Sequence, residues 1–569
     1  MQPIRPSNQA GVKIFHPHNV LPKRAALLDN RAMAIDFDYI IVGAGASGCV
    51  LAERLTANGR HRVLVLEAGG FDNRFYINMP LGYGKTYYDK SLNWMYYAEP
   101  DAGLNGQVDY WPRGKVLGGS SSINAMVYAR GAASDFDDWR RAGNIGWGWD
   151  DVLAAYREIE DNEAGENEYR GRGGPLFISA NNTERHWLGK PFEAAAQAAG
   201  LPHNDDFNGA TQEGVGHFQL TVKGGQRNSA ARAFLRPAMK RKNIEVITNA
   251  QVLRVVLEGT RACGVEYLHQ GRRRLVRTNA EVILAGGAVN SPQLLQLSGI
   301  GPGGVLNSLG IDVVVNNPNV GRHLQDHIGV NYTYQVNVPT MNDALRPWWG
   351  KLKFGLQYLL QKRGPLTISI NQGGGFFRSS QKRSRPNMQL YFQAFSTLIP
   401  KAGERPLLNP DPFSGMSLGL SNCRPTSRGE IIIKSSDPLL HPRIIANALS
   451  TAHDVKEMLE AVKFIRHIAE QPQLAQYIVD ELRPGPEVQS DTALVDDFRK
   501  RSGTVYHPCS TCRMAPNPAN GVVDSELRVH GIRGLRVVDA SAFPSIISGN
   551  LNAPAIMLAW KAAGIILRA

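Results

Sequence analysis

The chain reads as an α/β protein. Three observations place it there: a β-rich run that breaks into a glycine turn and a helical pattern, a second such run ending in a carboxylate, and the composition of a large folded chain. Phe37-Asp-Tyr-Ile-Ile-Val42 is a short strand-forming run. It meets Gly43-Ala-Gly45-Ala-Ser47-Gly48 and then the helical pattern Val50-Leu-Ala-Glu-Arg-Leu55. In such a unit Gly43 permits the tight turn, Gly45 lets a pyrophosphate approach the backbone at the helix N-terminus, and Gly48 lets the helix pack closely on the strand. A second strand, Arg62-Val-Leu-Val-Leu66, delivers Glu67 nineteen positions after Gly48. A carboxylate there accepts hydrogen bonds from both ribose hydroxyls of an adenosine and repels a 2′-phosphate. The unit therefore predicts a dinucleotide site, and both NAD and FAD satisfy it.

Composition narrows the class. With 569 residues, 43% hydrophobic and 20% charged, the chain has material for three or four modules at roughly 150 residues each and too little charge for disorder. Basic residues exceed acidic ones by 13, but the densest runs, at 240–242 and 272–274, sit beside strand-like segments and read as solvated turn edges. No basic stripe with interleaved aromatics occurs, so nucleic acid is not expected as a partner. Five cysteines, an odd number widely spread, do not make a disulfide framework and suit a reducing, cytoplasmic compartment. No apolar run is long enough to span a bilayer, and the N-terminus lacks a signal-peptide core. Residues 1–35 read as an extension, within which Met33 is a natural start.

Three further stretches carry a family resemblance. Gly114-Lys-Val-Leu-Gly118-Gly119-Ser-Ser-Ser-Ile-Asn124 and Gly287-Ala-Val-Asn-Ser291-Pro292, running on to Gly301, resemble the two signature motifs of the glucose-methanol-choline (GMC) oxidoreductases. Tyr506-His507-Pro508 through Gly549-Asn550-Leu-Asn552-Ala-Pro554 resembles that family's catalytic end. The resemblance implies FAD and a two-domain α/β (α+β) fold: a Rossmann-like FAD-binding domain discontinuous in sequence, over 36–160, 215–330 and 505–569, and a substrate domain on an antiparallel sheet, over 161–214 and 331–504. Glu245–Thr248, Val252–Val256 and Glu281–Leu284 are expected as a small β-meander on the FAD domain, and eleven aromatics between Tyr332 and Phe395 as lining or support of an apolar substrate cavity.

An alcohol loses a proton from oxygen and a hydride from carbon; flavin takes the hydride, and the protein must supply a base. The resemblance gives that part to His507, with Asn550 orienting the substrate oxygen. It assigns Gly43, Gly45, Ser47, Gly48, Glu67, Gly118, Gly119, Asn124, Val252, Asp539 and Ala540 to the cofactor: Val252 beside adenine, Asn124 beside the flavin ring, Asp539 near the pyrophosphate and ribityl chain. Relatives with covalently attached flavin carry histidine where this chain has Ile123, so the FAD is expected to be dissociable.

Rival motifs weigh less. Cys509-Ser-Thr-Cys512 lacks a thioredoxin-like context, and Ser510 stands where the family has glycine. Gly415-Met-Ser417-Leu-Gly419 fits a nucleophile elbow, but a hairpin rather than a helix is expected after it. His323 and His327 have metal-like spacing with no third ligand apparent, so no metal is expected. The expected activity is oxidation of a primary alcohol to an aldehyde with electrons passed to a quinone-type acceptor, at the inner face of the cytoplasmic membrane as a peripheral protein. The alternatives are a choline dehydrogenase and an oxygen-using alcohol oxidase.

Overall fold

The computed structural model describes residues 37–180, 184–397 and 409–568; the extension over 1–35 lies outside them. Five strands lie parallel in the order Ile244–Ile247, Val63–Leu66, Phe37–Val42, the second half of Arg272–Leu284, and Leu535–Val537. Their sequences are apolar without alternation because both sheet faces are covered: Ile40, Ile41, Val63, Val65, Val282 and Ile283 are all fully buried. The helix Ala46–Thr56 packs on the helix Asn552–Ile566. That second helix buries Ala553 through Trp560 without a break, as a helix apolar on every side must.

The first half of Arg272–Leu284 pairs antiparallel with Arg261–His269, which pairs in turn with Ala250–Glu258. One long strand therefore belongs to the meander at one end and the parallel sheet at the other. This corrects the expected meander: only the Val252 segment is part of it, whereas Glu245–Ile247 and Glu281–Leu284 pair in the parallel sheet. A β-rich run carries propensity but no information about its partner.

The second sheet is wholly antiparallel, in the order Ile478–Arg483, Ile328–Val336, Gly415–Asn422, Met388–Gln393, Gly373–Phe377, Gly214–His217, with Gly503–Thr504 also on Ile328–Val336. Two of these strands, Gly214–His217 and Ile328–Val336, cross the expected domain limits at 215 and 331. Side chains alternate between faces with period two. Tyr332, Tyr334, Leu390, Phe392, Met416 and Leu418 form one core with Met458, Val462 and Ile465 of the helix Ala452–Ala469, which leaves Gln389, Tyr391 and Gln393 for the other face. Ser417 lies mid-strand with no helix after it, so the GxSxG run is not a nucleophile elbow.

Candidate functional site

A cavity of about 560 Å³ runs from the glycine turn to that second face of the antiparallel sheet. At its first end the three glycines of the turn have different reasons to be glycine. Gly43 has φ +101°, and a Cβ on it would stand 2.6 Å from the Ala285 carbonyl oxygen; a Cβ on Gly48 would stand 1.9 Å from the Gly43 oxygen. At Gly45 the nearest protein atom to such a Cβ is 3.9 Å away. The protein itself demands glycine at 43 and 48, and only a ligand approaching the backbone would demand it at 45. Gly43, Gly45 and Ser47 line the cavity, and Gly48 lies behind them. Ser47 turns its hydroxyl to the Ala555 carbonyl at 3.1 Å.

Glu67 also lines the cavity and is buried; its carboxylate accepts from the backbone N–H groups of Ala44 at 2.9 Å and Gly69 at 2.8 Å. Burial pushes its pKa up to about 7 against those two donors. Gly119 touches the turn so closely that a Cβ on it would stand 2.7 Å from the Gly45 Cα, and Gly118, outside the cavity, donates to the Ala44 carbonyl at 2.7 Å. Val252 lines the same end. Asp539, whose carboxyl burial holds above the usual range, accepts from the Gly287 N–H and the Ser291 hydroxyl at the start of the helix Gly287–Leu297, while its other oxygen takes the Ser541 N–H. Asp539 and Ala540 both face the cavity. Asn124 faces it midway, its carbonyl oxygen accepting from Arg227 at 2.6 Å and from the Met126 N–H. A narrow slot floored by bare backbone, with a buried carboxylate at its end, suits a dinucleotide.

At the other end His507 and Asn550 come together. The Asn550 side-chain nitrogen lies 3.1 Å from His507 Nε2, and Gln389 Nε2 donates to the Asn550 carbonyl oxygen at 3.3 Å. That second bond fixes the amide so that its N–H side faces the histidine. On the far side, His507 Nδ1 lies 3.0 Å from His327 Nδ1, and His327 Nε2 lies 2.9 Å from the Cys423 carbonyl oxygen. A carbonyl oxygen only accepts, so His327 carries its hydrogen on Nε2 and, being neutral, presents a bare Nδ1. His507 must then donate from Nδ1, which leaves its Nε2 lone pair facing Asn550 and the cavity. Burial brings the His327 pKa down to about 4 and holds His507 well below the ordinary histidine value, with His327 and the Arg113 guanidinium adding to the effect at His507.

Asp326 completes the setting. It accepts from the His507 backbone N–H at 2.8 Å and from the Thr504 hydroxyl, and burial raises its pKa to about 7. Arg113, half-buried at the cavity wall, donates to the Tyr506 carbonyl at 2.7 Å. Sequence reasoning missed His327, Asp326 and Gln389. The first two end the stretch Leu324-Gln-Asp-His327, where the spacing of His323 and His327 suggested a metal test rather than a partner for His507. His323 instead bonds Asn319 at 3.0 Å. Of the eleven aromatics, only Tyr391 lines the cavity; most of the others pack in cores, and Trp348 and Trp349 stand in the open.

Residues 37–329 and 425–559 match two family models, each described as GMC oxidoreductase. The chain is 43% identical over 536 residues to the alcohol dehydrogenase (acceptor) of Pseudomonas putida, covering 94% of this chain and 96% of that one. It is 42% identical over 544 residues to the mitochondrial choline dehydrogenase of Homo sapiens, covering 93% and 90%. Among solved structures, pyridoxine 4-oxidase from Mesorbium loti superposes with a TM-score of 0.84 at 30% identity, covering 94% of this chain and 99% of that chain.

Proposed function

The chain belongs to the GMC oxidoreductase family, and on that premise we propose that it oxidises a primary alcohol to the aldehyde and passes the electrons to a quinone-type acceptor. FAD, when bound, supplies the hydride acceptor that no protein side chain can be. The observation that carries the reading is the bare Nε2 of His507 set against the Asn550 N–H at 3.1 Å. An alcohol oxygen lodged against both would give its proton to His507 Nε2 while accepting from Asn550 as its negative charge develops. His327 holds His507 in the one tautomer that can do this, and Asp326 anchors its backbone.

Glu67 would hold the adenosine ribose, Gly45 and Gly119 would admit the pyrophosphate, and Asn124 would border the flavin ring. Ile123, which lines the cavity and offers no nucleophilic atom, supports dissociable FAD. Arg113, which faces the cavity beside His507, places a positive charge there that weighs against a quaternary ammonium such as choline. The test is a panel of medium-chain 1-alkanols and choline, each with a quinone analogue, an artificial dye and oxygen as acceptors. The reading expects alkanols with quinone or dye to dominate. Choline preference would install the choline dehydrogenase reading, and rapid oxygen uptake the oxidase reading.

A further inference from the structure

The helix Trp348–Gln361 buries Gly350 and Tyr358 and turns its other side outward. At 100° per residue, Trp348, Trp349, Leu352, Leu356, Leu359 and Leu360 fall within an arc of roughly 120°. All six are exposed, Trp348 by 76% and Leu360 by 80%. Phe71, Phe75 and Tyr76 are exposed as well, and the Phe75 ring meets Tyr358, on the inner side of the helix, edge-on at 6.0 Å. Among the described residues nothing covers these side chains, and single chains in water rarely leave so many large apolar groups together uncovered.

The charges around the stripe indicate what covers it. Lys351 and Lys353 flank it on its two sides and Lys362 stands at its C-terminal end, while Arg346 and Arg363 pair with Asp343 and Glu184; no aspartate or glutamate occurs from 344 to 363. Tryptophan and leucine on one side with lysine at the margins is the pattern of a helix lying in a membrane surface, where indole rings sit at headgroup level and lysines meet anionic lipid. A second protein copy would bring the same positive charges against themselves. The segments that carry the surface also run on into the cavity wall, which Tyr87 and Asn371 line.

We propose that this face docks the protein on an anionic lipid bilayer, with the helix Trp348–Gln361 lying in the headgroup layer. The proposal deepens the quinone reading and rests on it for its purpose only, since its test measures binding and not turnover. The flavin-loaded full chain is sedimented with vesicles of phosphatidylcholine alone and with added phosphatidylglycerol. Binding is expected mainly to the anionic vesicles, and Trp348→Ser with Trp349→Ser should weaken it about tenfold or more, as should Lys351→Glu with Lys353→Glu. Dye-linked alcohol oxidation in solution should be unchanged in both variants, which also shows that they fold. Equal binding by the variants, or no binding by the parent protein, would overturn the proposal. So would a concentration-dependent dimer that the tryptophan variants abolish. If instead vesicle binding behaved as expected while no alcohol reduced the flavin, the functional reading would fail and the docking surface would stand.

Discussion

As the proposed base, His507 is useful only while it remains neutral, and its surroundings favour this through burial, with His327 and the positive charge of Arg113 adding to the effect. An ordinary histidine would be half protonated at about pH 6.5. With the folded value depressed, anaerobic flavin reduction by alcohol should hold level as pH falls from 8 through 6.5, and stopped-flow traces would show it. Stability moves the other way for the same reason. The unfolded chain takes protons on His327 and His507 below about pH 6.5 while the folded chain refuses them, so folding free energy is lost as pH falls from there toward 4. Replacing His507 by alanine should slow flavin reduction about 10² to 10⁴-fold with FAD content unchanged. Asn550→Ala should cost less, since the base stays. His327→Leu should also slow reduction by freeing the His507 tautomer, whereas His327→Asn, which can keep an acceptor oxygen, should restore part of the rate and leave the pH profile nearer that of the parent. A His507→Ala variant reducing its flavin at a normal rate would end the mechanism.

The turn after Phe37–Val42 offers a sharper test than any single contact, because its glycines answer to different masters. Gly48→Ala places a Cβ 1.9 Å from the Gly43 oxygen, so it should destabilise even the apo-protein by about 1 to 3 kcal/mol. Gly45→Ala meets only the Ala285 carbonyl oxygen, at an unstrained 3.9 Å. It should leave the apo melting temperature alone and weaken FAD binding. Glu67→Ala should lower FAD affinity by about 1 to 3 kcal/mol in titrations of apo-protein, the range for a charged hydrogen-bond partner. This unit was legible in the sequence because strand, turn, helix and carboxylate are local and their spacing is the signal. His507 and Asn550 were legible only through the resemblance, since nothing within a few residues of either names its partner. His327 was not legible as that partner: the two rings meet across a long stretch of sequence, while the nearer histidine at 323 advertised a spacing that the fold does not use. Glu245–Ile247 was misplaced for the same reason, and Trp348 and Trp349 show that an aromatic count does not tell an inner wall from an outer face.

Across the whole molecule, the proposed cofactor slot is assembled from distant pieces of chain: the glycine turn, the Gly118–Asn124 loop, the helix at Gly287 and the strand leading to Asp539. With no bond expected to Ile123, FAD should be released into the supernatant when acid or heat precipitates the purified yellow protein, and flavin fluorescence retained in the washed pellet would contradict this. The strand Leu535–Val537 pairs with Val282–Leu284 only after the chain has run through the entire antiparallel sheet. Translation proceeds at about 5 to 20 residues per second, so the earlier strands emerge from the ribosome long before the strand that borders them and before both proposed catalytic side chains. No nascent fragment ending ahead of residue 535 contains the finished nucleotide slot. Under the proposed assignment flavin loading should follow synthesis of the Leu535–Val537 strand, and a chain ending before it would leave the apolar Val282–Leu284 edge without its partner strand.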